Sequence, residues 1–421
     1  MEEKPISEFV SPKEASERLG VSVDTLRRWE AAGKIKAMRT PTGHRRYDMT
    51  SLVTGSEEVQ TLEKGSLLGE DTLQQIAKGL CEYEQQIPKS LWAYPAALQL
   101  GVEKLALACL IAGVRQPIQG VPDFVSRWAQ LPLKDWDIEI DCPEEWLDKQ
   151  LIEDQKPSGF CIETAGEYFD DWGNFQKKVI NEVMTKAAQN PELYTRFRKY
   201  LIETPVVTKG QIFVDSAVDF KPVQDLLLNS YEKVPESYKL GEKFYCCGHC
   251  GGLMYLTKDD ELKCENKHCA KEKKNPVPLA DNQYDEIFWL KKDLRYFIHR
   301  PGKAELRLEE RLKQLNLLEV KLYPELDQYD LHLVFPDGTV WAVDVKFWES
   351  AYNLAKKVNQ PIRKLKHQPY DESFFVFPDE LKSYGQEYIQ EFRGYCNVPL
   401  KKSQVMFEGS FVQKVIKKLG I

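Results

Sequence analysis

At 421 residues and 42% hydrophobic content, the chain is too long for one compact core, and about two to four domains of ordinary size are expected. A formal net charge of −7 argues against a protein that coats nucleic acid by bulk electrostatics, yet residues 11–47 hold nine Lys or Arg against four Asp or Glu, so the acidic total conceals a basic module. No run approaches the roughly 18 apolar residues that a membrane span requires; the best, 105–114, reads as a buried helix. Met1, Glu2, Glu3 and Lys4 begin a polar segment, which predicts no secretory leader, no membrane partner and a cytoplasmic location.

Ser11 and Pro12 open a short predicted helix with Ala15 and Leu19 on one face, closed by Gly20. Ser22 caps a second helix over 23–32, with Leu26 and Trp29 inward and Thr25, Arg27, Arg28 and Glu30 outward. Two short helices across a three-residue turn make a helix-turn-helix. Behind them, strand-like segments flank a Pro41/Gly43 turn and carry Lys36, Arg39, Arg45 and Arg46, a basic wing. The run from Ala15 through Leu19, Gly20, Val21 and Ser22, then Thr25 to Glu30, Gly33, Arg39, Thr40 and Gly43 to Tyr47 resembles the MerR-type winged helix. The resemblance implies that helix 22–32 enters the DNA major groove, with Arg27 and Arg28 reading bases, Thr25 also on the DNA-binding face, and Lys36, Arg39, Arg45 and Arg46 on the backbone. A helix-turn-helix kept for protein contacts is the alternative.

Residues 56–240 mix helical runs (71–84, 175–189, 192–202, 223–231) with breaks at Pro88, Pro95, Pro117, Pro122 and Pro132. No catalytic motif stands out, and the region reads as a mainly helical partner-docking segment. Residues 135–141 alternate strictly. In a strand, Asp135, Asp137, Glu139 and Asp141 would share one face, solvated or able to bind a cation, with Trp136, Ile138 and Ile140 on the other.

Of ten cysteines, five (Cys246, Cys247, Cys250, Cys264, Cys269) fall within 24 residues, which in a reducing compartment points to a metal. Cys81, Cys109 and Cys396 read as small core residues. Cys247 and Cys250, then Cys264 and Cys269, offer two turns that each present a thiolate pair, and zinc takes four such ligands in a tetrahedron. Glycines after Cys250 let the backbone curl, and 253–263 reads as a hairpin turning at Asp259 and Asp260. This is a zinc ribbon with a closed, structural site, for which Cys246 or His268 are substitute ligands. Lys267, Lys271, Lys273 and Lys274 are near enough to touch nucleic acid.

After the ribbon comes an α/β pattern: a helix over 301–315 with Leu308, Leu312 and Leu315 inward, strands at 319–324, 329–335 and 340–347, a helix from Glu349, a strand at 374–377, a helix near 381–393, a strand at 404–407 and a final helix. A helix with a carboxylate, then a hairpin bearing Asp330 on one strand and Asp344, Val345 and Lys346 on the next, resembles the PD-(D/E)xK restriction-endonuclease-like superfamily. Two carboxylates and the Val345 carbonyl suit Mg2+ or Mn2+, and residues two apart on a strand share a face, so Lys346 accompanies Asp344. The resemblance implies a helix glutamate as well: Glu305, with Glu309 and Glu310 as alternatives. Tyr329 stands where the motif has proline. A two-residue turn at Asp337 and Gly338 would set Asp330 opposite Val345, on the wrong face, so the site requires a three-residue loop or a bulge; otherwise Asp327 takes the place of Asp330. Lys356, Lys357, Arg363, Lys364 and Lys366 form either a phosphate clamp or a solvated face.

The expected fold is therefore multidomain α+β: a winged helix-turn-helix (9–54), a mainly helical middle (56–240), a zinc ribbon (241–280) and a restriction-endonuclease-like domain (285–421). The expected function is metal-dependent DNA hydrolysis, with Glu305, Asp330, Asp344 and Lys346 catalytic. Such a set resembles nuclease components of bacterial phage-defence and mobile-element loci, including those linked to PIWI-like proteins and helicases, which supplies the expected protein partner. MerR-type modules add a homodimer to the expectations, although no heptad run supplies a coiled-coil arm. The alternatives are a DNA-binding regulator or scaffold with an inactive nuclease fold, and a transposon-type strand-cleaving subunit.

Overall fold

The computed structural model describes residues 9–19, 26, 30, 37–40, 45–48, 68–86, 94–166, 172–187, 190–257, 261–266, 269, 276–279 and 286–421, except 366, 368 and 386. The chain divides into two compact units, one of residues 1–72, 104–117 and 138–141, the other of the remainder. The fold is mixed α+β.

In the first unit, Ser11 caps helix α1 (Pro12–Leu19) by accepting the Glu14 N–H at 3.2 Å. Strands β1 (Phe9–Val10), β2 (Ala37–Arg39) and β3 (Arg45–Asp48) form an antiparallel sheet with β3 in the centre. Among the described residues of 9–48, Val10, Ala15, Leu26 and Tyr47 are buried. Arg39 pairs with Arg45 and Met38 with Arg46 across the wing. Apart from Leu26 and Glu30, the expected second helix falls outside the described residues, as do the Pro41/Gly43 turn and Thr25, Arg27, Arg28 and Lys36.

Two sequence expectations in the middle region fail. Residues 135–141 form no strand: a 3-10 turn, Leu133–Asp135, takes the first of them, and Trp136 turns its indole N–H onto the Trp128 carbonyl at 3.0 Å. Burial of Trp136 against Phe124 and Trp128 overrides the alternating pattern. Residues 105–112 belong to helix α2 (Ala96–Ala112), but that helix is not wholly buried: Leu107, Leu110 and Ile111 are about half exposed or more. The other helices appear near their expected places, among them Trp172–Ala187 and α3 (Pro191–Glu203). Among the described residues, no helix is long and apolar enough to cross a membrane.

Antiparallel pairing joins β4 (Tyr245–Cys247) to a strand at Pro276–Pro278, and joins β5 (Met254–Leu256) to β6 (Leu262–Cys264). The tip of this second hairpin lies outside the described residues.

The C-terminal part is built on five strands in sequential order: β7 (Glu319–Leu322), β8 (Leu331–Val334), β9 (Val340–Val345), β10 (Glu372–Phe377) and β11 (Val405–Phe407). The first three pair antiparallel and the last three parallel, so the two crossovers that follow β9 and β10 carry helices α5 (Ala351–Lys357) and α6 (Tyr388–Tyr395). Period-2 alternation sorts each strand between two cores. Trp341, Val343 and Val345 face α4 (Arg300–Lys313) and α7 (Glu408–Leu419), whereas Ala342 faces α5 and α6. Buried Glu408 accepts from Arg307 at 2.5 Å and Arg311 at 2.6 Å, which fixes α4 against α7.

Candidate functional site

The β8–β9 hairpin turns through Pro336, Asp337 and Gly338, a three-residue loop closed by the Phe335 N–H on the Thr339 carbonyl at 2.9 Å. Gly338 takes a φ of 82°, the left-handed conformation that such a loop demands and that glycine adopts without strain. Leu331 then pairs with Val343, and one further step along the ladder sets Asp330 across from Asp344. The register requirement raised by the sequence is met, and Asp330 rather than Asp327 stands at that place. Its main-chain N–H reaches the Val343 carbonyl at 3.1 Å, and its carboxylate accepts the Val345 N–H at 2.6 Å. Lys346 returns to the face of Asp344, and its Nζ lies 2.7 Å from that carboxylate.

These residues line a cleft of about 280 Å³ together with Glu305, Asp327, Arg198 and Glu163. Glu305 projects from α4 and is buried. Glu309 and Glu310, the other helix glutamates, line a different and larger cleft of about 780 Å³, which contains neither aspartate. Volume alone would favour that larger cleft, but the paired aspartates and the lysine are in the smaller.

Three side chains that the sequence reading left out of the site complete the surroundings. Arg198 of α3 is 8% exposed; its guanidinium donates to Glu305 at 2.8 and 3.1 Å, binds Asp327, and approaches Asp330 to 3.8 Å. Tyr194, one helical turn earlier, donates to Asp327 at 2.6 Å, and Tyr323 donates to Glu305 at 2.6 Å. A trace was present in the sequence: position 198 falls on the helix face drawn by Leu193, Phe197 and Leu201, where an arginine must find buried acids. Tyr323, Glu325, Leu326 and Asp327 all have positive φ, between 47° and 70°. Left-handed backbone costs a non-glycine residue about 1–2 kcal/mol, and here it turns both Tyr323 and Asp327 toward Arg198.

Burial, with neighbouring charges behind it, governs the protonation of the cleft. Burial raises the Asp330 carboxyl well above the ordinary range, and the Glu305 and Asp344 carboxylates raise it further. Burial also lifts Asp327 to about 6, against the pull of Arg198. For Lys346 burial works downward, but Asp344, Asp330 and Glu305 outweigh it and hold the ammonium above its usual value. Glu163 is pushed up to about 8 by burial and by Glu349, while its two oxygens accept the main-chain N–H groups of Glu349 (2.7 Å) and Ser350 (2.9 Å) just before α5.

In the ribbon, Cys247, Cys250, Cys264 and Cys269 are buried with their Sγ atoms within 4.8 Å of one another. A tetrahedron of zinc–sulfur bonds near 2.3 Å places sulfurs about 3.8 Å apart, and Cys250 and Cys264 lie 3.6 Å apart, so the arrangement is compatible with a structural metal such as zinc. Gly251, at φ 78°, turns the chain so that Gly252 donates to the Cys250 sulfur at 3.4 Å, and Asn266 does the same for Cys264 at 3.4 Å. Cys246 instead joins an apolar cluster with Phe244, Leu253 and Trp289, and burial pushes its thiol up to about 12. His268, Lys267, Lys271, Lys273 and Lys274 lie outside the described residues.

Of the basic residues after β9, Lys356, Lys357, Arg363 and Lys364 are exposed, and Lys366 is outside the described residues. In the wing, Arg39 is exposed, while Arg45 is half-buried and paired with Glu30 at 3.0 Å.

Three family models match parts of the chain. Residues 11–47 match that of the MerR family regulatory protein, 72–208 that described as pPIWI_RE three-gene island domain Y, and 302–420 that described as REase associating with pPIWI_RE. The third match covers Glu305, Asp330, Asp344 and Lys346; the second covers Arg198. No curated protein and no solved structure matches the chain.

Proposed function

We propose that this chain is a metal-dependent DNA endonuclease of the PD-(D/E)xK type, brought to DNA by its MerR-type region and working in the cytoplasm beside a pPIWI_RE protein in defence against phage or mobile elements. The observation that carries the reading is the register of β8 and β9, which sets Asp330 across from Asp344 with Lys346 at hydrogen-bond distance from Asp344. The similarity of residues 302–420 to a restriction-endonuclease model supports the same chemistry, and that of residues 72–208 to an island domain supports the partner.

A divalent cation suits the cleft on its donors: five carboxyl groups (Glu163, Glu305, Asp327, Asp330, Asp344) line it beside two cations, Arg198 and Lys346. Glu305, Asp330, Asp344 and the Val345 carbonyl would hold Mg2+ or Mn2+, hard cations that prefer oxygen ligands. The cation would supply Lewis acidity and neutralise charge at the scissile phosphate. Lys346, kept cationic by its acidic neighbours, is placed to orient the attacking water or to donate to a phosphate oxygen. In the ribbon, Cys247, Cys250, Cys264 and Cys269 would hold zinc with no open valence, a structural role.

A second reading, a DNA-binding regulator or scaffold whose nuclease fold is inactive, draws support from the ion pairs that Arg198 and Lys346 already make with these acids. Plasmid cleavage with Mg2+ or Mn2+ separates the two. The native chain should cut, and Asp344→Ala and Lys346→Ala should each lose roughly 10²–10³-fold in rate while still retarding DNA on a gel. Retardation without cutting in either metal would instead favour the regulator or a nuclease that waits for its partner.

A further inference from the structure

Among the described residues, Arg198 is the one arginine that lines the acid cleft, and it comes from the segment similar to island domain Y rather than from the segment similar to the nuclease. Helix α3 delivers it by burying Leu193, Phe197, Leu201 and Ile202 in a core shared with Leu294, Ile298 and Tyr323. Gly302 of α4 lets the two helices meet so closely that an added Cβ would lie 2.4 Å from the Ile202 side chain. The guanidinium carbon stands 4.4 Å from the centre of the Tyr323 ring, and its two terminal nitrogens pair one with Glu305 and the other with Asp327.

Glu305, Asp327 and Asp330 lie around that guanidinium. Among the described residues, the only group of three or more metal-ligating side chains whose ligand atoms converge within 4.8 Å is the four cysteines; Glu305, Asp330 and Asp344 do not form one. Glu305 gives both oxygens to Arg198, and Asp344 is engaged by Lys346.

We propose that Arg198 is a resident counter-cation of the nuclease site, a positioning residue that occupies Glu305 and Asp330 until a divalent cation displaces it. The inference rests on the nuclease reading of the cleft. Metal and guanidinium then compete for Glu305 and Asp330, and the left-handed turn at 323–327 keeps Asp327 as the anchor on which the side chain rests. A site that is open about a tenth of the time binds its ligand about tenfold more weakly than one that is always open.

The test is calorimetric titration of the full chain with Mn2+, its ribbon zinc left in place, comparing native protein with Arg198→Met, Tyr194→Phe and Asp344→Asn, with thermal unfolding of each recorded alongside. Arg198→Met should bind Mn2+ about tenfold more tightly than native. Tyr194→Phe, which loosens the anchor without changing charge and remains informative should Arg198→Met fail to fold, should shift affinity in the same direction by a few-fold. Asp344→Asn should bind none at this site. Unchanged or weaker Mn2+ affinity in both Arg198→Met and Tyr194→Phe, with only the melting temperature lowered, would make Arg198 a structural ion pair and overturn the proposal while leaving the nuclease reading intact. Failure of every chain to bind Mn2+ would overturn both.

Discussion

The chain carries two candidate metal centres that differ in how they are assembled. The four ribbon cysteines come from two short turns close in sequence and their sulfurs converge; the acids of the cleft come from α4, the approach to β8, and β9, and an arginine from α3 stands among them. Ligands that are neighbours in sequence gather once the local backbone turns, as Gly251 allows at φ 78°. Ligands on separate elements gather only if helix docking, strand register and loop length all agree. The first kind of centre is expected to stabilise the fold, and the second to remain exchangeable.

The contrast breaks most visibly at the ribbon. Cys264→Ser should cost the chain about one bound zinc and much of the ribbon's stability, on a scale that for small zinc modules reaches about 10 kcal/mol. Metal analysis and thermal unfolding would show it, and a chelator should reproduce it on native protein. Cys246→Ser, one residue from a ligand but facing the apolar cluster, should keep its zinc and lose only about 1–3 kcal/mol for a buried hydroxyl. Equal zinc loss in both variants would reassign the ligands.

A smaller effect sharpens the other side. The folded-state carboxyl of Glu163 sits near 8, above its ordinary 4.5, so the folded chain holds a proton there that the unfolded chain releases. Its contribution to stability is present below pH 4.5 and is lost as pH rises toward 8. Melting temperatures measured from pH 5 to 8.5 should therefore fall less steeply for Glu163→Gln than for native protein. Parallel curves would show that Glu163 is ionised throughout, held by its two main-chain donors.

What the sequence disclosed follows the same division. Cysteine spacing anticipated the four sulfurs that converge, and the turn composition at Pro336, Asp337 and Gly338 posed the register question that a single positive φ resolves. The strand expected at 340–347 is β9, Val340–Val345. Where tertiary packing overrides local pattern, the reading failed: 135–141 alternates but is not a strand, because Trp136 is drawn into an aromatic cluster, and residues 107, 110 and 111 are apolar but exposed. Arg198 was missed because its partner Glu305 lies 107 residues away and no local motif links them. The misplaced charge on an apolar helix face was its one trace.

The central claim is that strand register and helix docking bring Glu305, Asp330 and Asp344 into one nuclease site and leave Glu309 outside it. It is tested most directly by the Mg2+-dependent plasmid cleavage rates of Glu305→Gln, Asp330→Asn and Glu309→Gln, near-isosteric changes on neighbouring positions. The account predicts that Glu305→Gln and Asp330→Asn fall at least about a hundredfold while Glu309→Gln stays within a few-fold of native. Loss of cutting in Glu309→Gln with Glu305→Gln active, or native rates in Asp330→Asn, would contradict it.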